Sequence, residues 1–486
     1  MSAPLLLGID EGTTAVKAAL FDEDLCCIAA TRRAVALAHP RAGWVEQDPE
    51  LVLEAVVDAV AELLERAGGR EVLAAGLDHQ GESVLAWEAG GTALTPIVVW
   101  QDKRQEELLR QIEPSAVAAS GLPLDPYFSA GKLAWLLEHD ADVRLARERG
   151  TLRLGTVDAF LTDRLGGRFA TDVSTASRTQ LLALGGRDWE ESLLDAFGLE
   201  REWLPAVGPS FGALGELRHA RWAAPLALTA QLVDQQAALA GSGAIAPGEL
   251  KASYGTGVFV LGRTARPTRD AQLLPTVAWA APASGGGVGE IAHALDGGVF
   301  AAGALLDWLA QGLGLERDAA SLAAAAAEVP DSSGVRVLPA LSGLGAPWWR
   351  ADAHGVIAGL HGGARPAHVA RAALEAIAWR VADIVEAFAR VAPVTELRVD
   401  GGLTNDATLL ALQADAAGVP LRVGPTDTTV LGAALLAGVG AGVFASVEDA
   451  AQRLPAGRLI EPRAGEAERR RGRAGWEAFV QAAAEL

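Results

Sequence analysis

At 486 residues, half of them apolar, the chain is long enough for two or three domains with substantial cores. Its formal net charge of −20 excludes a general nucleic-acid surface and an anionic-membrane surface, both of which need a basic face. The two cysteines, Cys26 and Cys27, are adjacent in a predicted strand, which excludes a disulfide framework and a thiolate zinc site.

The start, Met1 to Gly8, lacks the basic segment of a signal peptide, and no stretch approaches a charge-free membrane span. The expectation is a cytoplasmic protein with no nucleic-acid or membrane partner. Leu5–Asp10 predicts a strand that turns at Gly12-Thr13-Thr14 and returns as Ala15–Asp22. Asp48-Pro49 sets an N-cap acid before a proline at the first helical position. Leu53, Val56, Val57, Val60 and Leu64 follow at helical spacing until Gly68-Gly69 stops them. A strand, Val72–Leu77, leads into Asp78-His79-Gln80-Gly81-Glu82-Ser83, and Ser83–Glu88 and Pro96–Trp100 read as further strands. A later apolar run ends in Val233-Asp234-Gln235-Gln236.

The second half repeats the scheme. Leu250–Thr264 predicts a hairpin that bends at Tyr254-Gly255-Thr256-Gly257. Gly285–Gly289 reads as a loop tip, Val299–Leu309 as a helix and Ala319–Ala327 as an alanine-rich surface helix. Arg336–Pro339 reads as a strand, Val369–Ala389 as a helix, and Leu397–Val399 as a strand ending in Asp400-Gly401-Gly402. The charged stretch Glu466–Arg473 reads as a solvated helix face. Two related α/β lobes are therefore expected, residues 1–241 and 242–486, with the boundary near Gly241–Pro247.

Gly/Thr turns between strands offer unobstructed N–H groups and hydroxyls to phosphate oxygens. Gly12-Thr13-Thr14 and Gly255-Thr256-Gly257 could form two sides of such a cradle, although either alone is more often an ordinary β-turn. Asp10, at the end of a strand beside the first turn, could hold Mg²⁺ directly or through water, and Lys17 is a lone cation just behind it. With Asp234 as an isolated acid, the pattern implies a two-lobed phosphotransferase that clasps a nucleotide. No Gly-x-x-x-x-Gly-Lys-Ser/Thr loop is present, no Gly-x-Gly-x-x-Gly follows an early strand, and the eight histidines lack metal spacing. A P-loop kinase, a dinucleotide dehydrogenase and a zinc hydrolase are disfavoured accordingly.

Ordered motifs carry a resemblance over nearly the whole chain. They include Gly43-Trp44-Val45-Glu46-Gln47-Asp48-Pro49, Val99-Trp100-Gln101-Asp102 and Gly121-Leu122-Pro123-Leu124-Asp125-Pro126-Tyr127-Phe128-Ser129. Thr175-Ala176-Ser177-Arg178-Thr179, Gly343-Leu344-Gly345-Ala346-Pro347-Trp348-Trp349 and Leu431-Gly432-Ala433-Ala434 follow. With these, the chain resembles the FGGY carbohydrate kinases, and within them the glycerol kinases. The resemblance implies two ribonuclease H-like lobes of the actin/hexokinase superfamily, with ATP, Mg²⁺ and a small polyol or sugar acceptor meeting in the central cleft. It further implies Asp234 as catalytic base, Asp10 as the Mg²⁺-associated acid, and Thr13, Thr14, Ala15, Lys17, Thr256 and Gly257 around the phosphates. Gly303, Asp307, Gly402 and Asp406 would border the nucleotide. Gly81, Glu82, Trp100, Tyr127, Asp234, Gln235 and Phe259 would line the acceptor pocket. Family members are often dimers or tetramers, so a homo-oligomer is implied as well.

The acceptor pocket departs from the resemblance at one position. Glycerol kinases carry Asn-Gln-Arg-Glu where this chain has His79-Gln80-Gly81-Glu82, so an arginine that reads a hydroxyl has become Gly81. Losing such a donor from a desolvated site costs roughly 2–5 kcal/mol. Gly81 is expected either to leave room for a longer polyol or sugar, or to be compensated by a neighbour such as His79 or Lys103. The acceptor is thus glycerol or another small polyol or ketose.

Overall fold

The computed structural model describes residues 4–270 and 272–485; Met1–Ala3, part of the start considered above, lie outside the described residues. The strand Leu5–Glu11 is buried along its whole length because both faces of its sheet are covered. Side chains alternate between those faces. Leu5, Leu7 and Ile9 enter one core with Val52, Val56, Val60 and Leu63 of the helix Pro49–Arg66. Leu6 enters another, with Val430, Leu435 and Leu436 of the helix Thr428–Gly440. Asp48 caps Pro49–Arg66 as its sequence suggests, accepting from the Glu50 and Leu51 backbone N–H groups at 2.9 and 3.3 Å.

The first sheet runs Phe211–Leu217, Leu226–Val233, Val72–His79, Leu5–Glu11, Ala15–Phe21, Cys27–Ala34. The second runs Leu274–Pro282, Val288–Val299, Val258–Thr264, Leu250–Tyr254, Leu397–Asp400, Leu421–Val423, Arg458–Ile460. In each, the opening strand pairs antiparallel with its hairpin partner across a Gly/Thr turn. On its other side it pairs parallel with a strand that itself pairs parallel with the next. The repeat seen in the sequence is therefore a repeat of hydrogen-bond ladders.

The helices Asp234–Ser242 and Thr428–Gly440 cross where the two halves meet. The second of them lies late in the sequence yet packs on the first sheet, with Thr229 Oγ1 donating to Ala437 O at 2.9 Å. Small residues make the approach possible. A Cβ on Gly432 would sit inside the contact radius of Ala237 O, and one on Gly8 would overlap Val430 O. At these two positions only a residue without a side chain fits.

Four expectations change. Val299 ends the long strand Val288–Val299, and the helix is confined to Gly303–Asp307 with one π-helical turn, Trp308–Gly312. Ladder pairing of Val299 with Val258 outweighs the helical spacing of the apolar residues. In Pro96–Trp100 only Ile97–Val98 is in a ladder. Cys26 stands in the turn before the strand Cys27–Ala34, and both cysteines are free and exposed. The charged tail forms the helix Glu466–Ala483, but Arg473 is tied to Glu386 at 2.7 Å and to Asp383, so that residue anchors the helix. Among the described residues no helix is long and apolar enough to cross a membrane.

Candidate active site

Three neighbouring strands of the first sheet run in one direction, and their carboxyl ends gather acids, the place where open α/β sheets receive ligands. The register sets Asp10 beside Asp78, and Asp78 beside Leu232. Two residues past Leu232, Asp234 begins its helix, with the Gln235 N–H donating to Asp234 Oδ1 at 2.6 Å. Burial raises the pKa of all three acids. It lifts Asp10 despite Lys17 and Thr429. It lifts Asp78 well above the usual carboxylate range, with Asp10 and Asp234 adding repulsion. Asp234 is pushed up to about 7, first by burial and then by Asp10 and Glu82, against the pull of Lys251. A carboxylate poised there can take a proton from a hydroxyl near neutral pH.

Asp10 Oδ2 accepts from Thr429 Oγ1 at 2.7 Å and lies 3.9 Å from Lys17 Nζ. Lys17 Nζ in turn donates to Asp427 Oδ1 at 2.8 Å, so it is half-buried and paired across the cleft rather than simply solvated. Asp78 shares a side-chain hydrogen bond with Asp10, and no other donor among the described residues reaches its buried oxygens. Asp10 and Asp78 can thus offer oxygens to a hard cation that takes its other ligands from elsewhere. No group of three or more His, Cys, Asp or Glu among the described residues is arranged to enclose a metal alone.

The first Gly/Thr turn is wired to the pocket beside it: Trp100 Nε1 donates to Thr13 Oγ1 at 3.0 Å, and Gln47 Nε2 donates to Thr13 O at 2.8 Å. Thr14 is exposed and Ala15 buried. At the second turn, Thr256 is exposed and Gly257 buried, and the Ala302 and Ala304 N–H groups donate to Thr256 O at 2.9 and 3.0 Å. Gly303 N–H reaches Gly255 O at 3.1 Å, so Gly303 belongs to this turn. Gly401, with φ +96°, packs against Tyr254 and brings Gly402 to the same end of the sheet. Asp307 ends its short helix, exposed. Asp406 serves the fold, because its carboxylate caps the helix Ala407–Ala417 through the Thr408 and Leu409 N–H groups at 2.7 and 2.9 Å. The neighbouring Asn405 is exposed, its Nδ2 donating to Gly402 O at 3.1 Å.

Trp100 and Tyr127 meet edge to face at 5.6 Å, and Tyr127 meets Phe128 at 5.3 Å. Lys132 Nζ fixes this turn by donating to the carbonyls of Pro126, Tyr127 and Phe128 at 2.8, 2.7 and 3.0 Å. Gln235 Oε1 accepts from the buried Lys251 Nζ at 2.6 Å. Phe259 and Asp296 share one face of the second sheet, where Gly298 opposite Phe259 leaves space for the ring. Gly81 does not open space: a Cβ there would lie 2.7 Å from Val233 Cγ1. Neither named neighbour compensates. His79 Nε2 faces Thr175 Oγ1 at 2.9 Å, deep in the core, and Lys103 is exposed beside Glu106.

Arg178 is the group that sequence reading passed over. Its Nε donates to Glu82 Oε1 at 2.7 Å, and its Nη2 lies 3.0 Å from Asp296 Oδ2. The signal was present in the Thr175–Thr179 motif, but nothing local to it shows which carboxylates it meets. Asp78 was findable as a second strand-end acid beside Asp10. Asp296 has no sequence signature.

Two family models match this chain: the N-terminal domain of the FGGY family of carbohydrate kinases over residues 5–241, and the C-terminal domain over residues 250–441. The chain belongs to the FGGY family of carbohydrate kinases. Its relatives include glycerol kinases of Citrifermentans bemidjiense and Aromatoleum aromaticum, each 41% identical over 98% of both chains. Among solved structures it is similar to Plasmodium falciparum glycerol kinase with ADP, at TM-score 0.90 and 25% identity, covering 99% of this chain and 98% of that one. The two-lobed α/β sugar-kinase fold is thus shown, and with it an enzyme that phosphorylates a carbohydrate or polyol.

Proposed function

We propose that the chain transfers the γ-phosphoryl group of ATP to a hydroxyl of a small neutral polyol, with glycerol as the preferred acceptor. The observation that carries this is the position of Asp234: a half-buried carboxylate raised to about 7, between the strand-end acids beside the Gly/Thr turns and the Glu82–Tyr127–Trp100 cluster. Asp234 takes the proton of the attacking hydroxyl. Glu82, Trp100, Tyr127, Gln235 and Phe259 hold the acceptor, with Gly81 behind them. Thr13, Thr14, Ala15, Lys17, Thr256 and Gly257 receive the phosphates, and Gly303, Asp307 and Gly402 border the nucleotide, with Asp406 positioning its neighbour Asn405.

Asp10 and Asp78 are paired carboxyls, and Asp78 reaches no other donor among the described residues, which suits a hard cation, so these two acids would hold Mg²⁺ with the phosphates. When bound, the ion neutralises charge on the phosphoryl oxygens. The relatives named above are glycerol kinases, and one was solved with ADP, which supports glycerol and ATP here. A longer polyol or ketose drew its support from space at Gly81, which Val233 fills. We place the acceptor lobe at 1–241 and the nucleotide lobe at 242–486, in a cytoplasmic homodimer or homotetramer.

The pH profile tests the base. Below its raised pKa Asp234 is protonated and cannot accept the substrate proton, so kcat/KM should fall about tenfold per unit as pH drops below about 7 and level off above it. A profile flat between pH 5.5 and 8 would overturn the assignment.

A further inference from the structure

Arg178 is 3% exposed, yet one edge of its guanidinium is uncommitted. Nε is taken by Glu82 and Nη2 by Asp296, whereas Nη1 is buried with no hydrogen-bond partner among the described residues. The guanidinium carbon lies 5.7 Å from the Tyr127 ring and 5.7 Å from the Phe128 ring. Burial opposes its charge, but Glu82 and Asp296 outweigh that and hold it firmly protonated. A buried N–H without an acceptor is costly, and more so on a charged group, so a site that keeps one gains from a ligand oxygen.

We infer that Arg178 is the acceptor-recognition residue of this pocket: its Nη1 donates to one hydroxyl of a neutral polyol held among Glu82, Tyr127 and Asp296. The inference rests on the polyol-kinase reading and deepens it. The geometry also selects the ligand class. A carboxylate would seek the two-pronged grip of a guanidinium, but two of the three nitrogens are engaged. Glu82, Asp296 and Asp234 further surround the site with negative charge, so a sugar acid is repelled and a neutral hydroxyl is accepted. Because Asp296 belongs to the second sheet and Glu82 and Arg178 to the first half of the chain, the guanidinium also joins the lobes at the point where the acceptor lies.

The test uses Arg178→Lys, which keeps the charge and loses the fork, assayed in the full-length enzyme with glycerol, propane-1,2-diol and propane-1,3-diol. With glycerol, KM should rise about 10- to 100-fold, the range of one charge-assisted hydrogen bond, while KM for ATP changes less than about twofold. For the diol that lacks the hydroxyl read by Nη1, the same substitution should change KM by less than about threefold, because that bond is already absent. Asp296→Asn, a milder change that still offers Nη2 an acceptor, should shift the same acceptors in the same order. Equal losses on all three acceptors for both variants would show a structural residue and sink the proposal. A wild-type enzyme inactive on every polyol would instead overturn the kinase reading beneath it.

Discussion

Replacing Asp234 by asparagine is expected to lower turnover by about 10²- to 10⁴-fold, the contribution a positioned general base makes. The change removes the proton acceptor without altering size. The 2.6 Å bond from the Gln235 N–H can be kept by the amide oxygen, so the helix start should survive. ATP binding and the melting temperature should therefore stay near those of the parent. The effect is large because the neighbouring acids are otherwise engaged: Glu82 is paired with Arg178 and Glu11 accepts from Gln80. Asp78 is buried with a pKa well above the ordinary range, and Asp10 is occupied with Thr429 and Lys17. Steady-state ADP release checks it. A variant that kept more than a few per cent of activity would remove Asp234 from the role.

The second large effect is on the fold. Gly432→Val should destabilise the protein by more than about 3 kcal/mol, because the new side chain would meet the backbone of the crossing helix at Ala237, which cannot turn aside as a side chain could. The helix Thr428–Gly440 is buried almost throughout and covers one face of the first sheet. Pushing it away also separates Thr429 from Asp10 and Asp427 from Lys17, so activity should fall with stability. Gly285→Ala, at a loop tip where a Cβ meets nothing within 4 Å, is the matched control and should leave the melting temperature unchanged.

Much of this was legible in the sequence because the signals are local. Asp48-Pro49 announced its helix, the two Gly/Thr turns announced the repeated hairpins, and the strand-end positions of Asp10 and Asp234 follow from apolar runs that stop at an acid. What was illegible depends on contacts far apart in the chain. The pairing of Arg178 with Asp296 spans more than a hundred residues, and neither has a neighbour that names the other. Gly81 illustrates the same limit. Read alone it suggests an enlarged pocket, yet the space belongs to Val233, which the sequence places next to Asp234 and only the parallel strands bring to Gly81. The helix boundary at Val299 failed for a related reason, since a cross-strand partner overrode a helical spacing.

The most direct test of the function is ADP release with Mg-ATP across glycerol, dihydroxyacetone, erythritol, threitol, xylitol, ribitol, xylulose and gluconate. Glycerol should lead in kcat/KM by about tenfold or more, with gluconate inactive, as a filled position 81 and a committed Arg178 require. A four- or five-carbon acceptor in the lead, or turnover of gluconate, would contradict it.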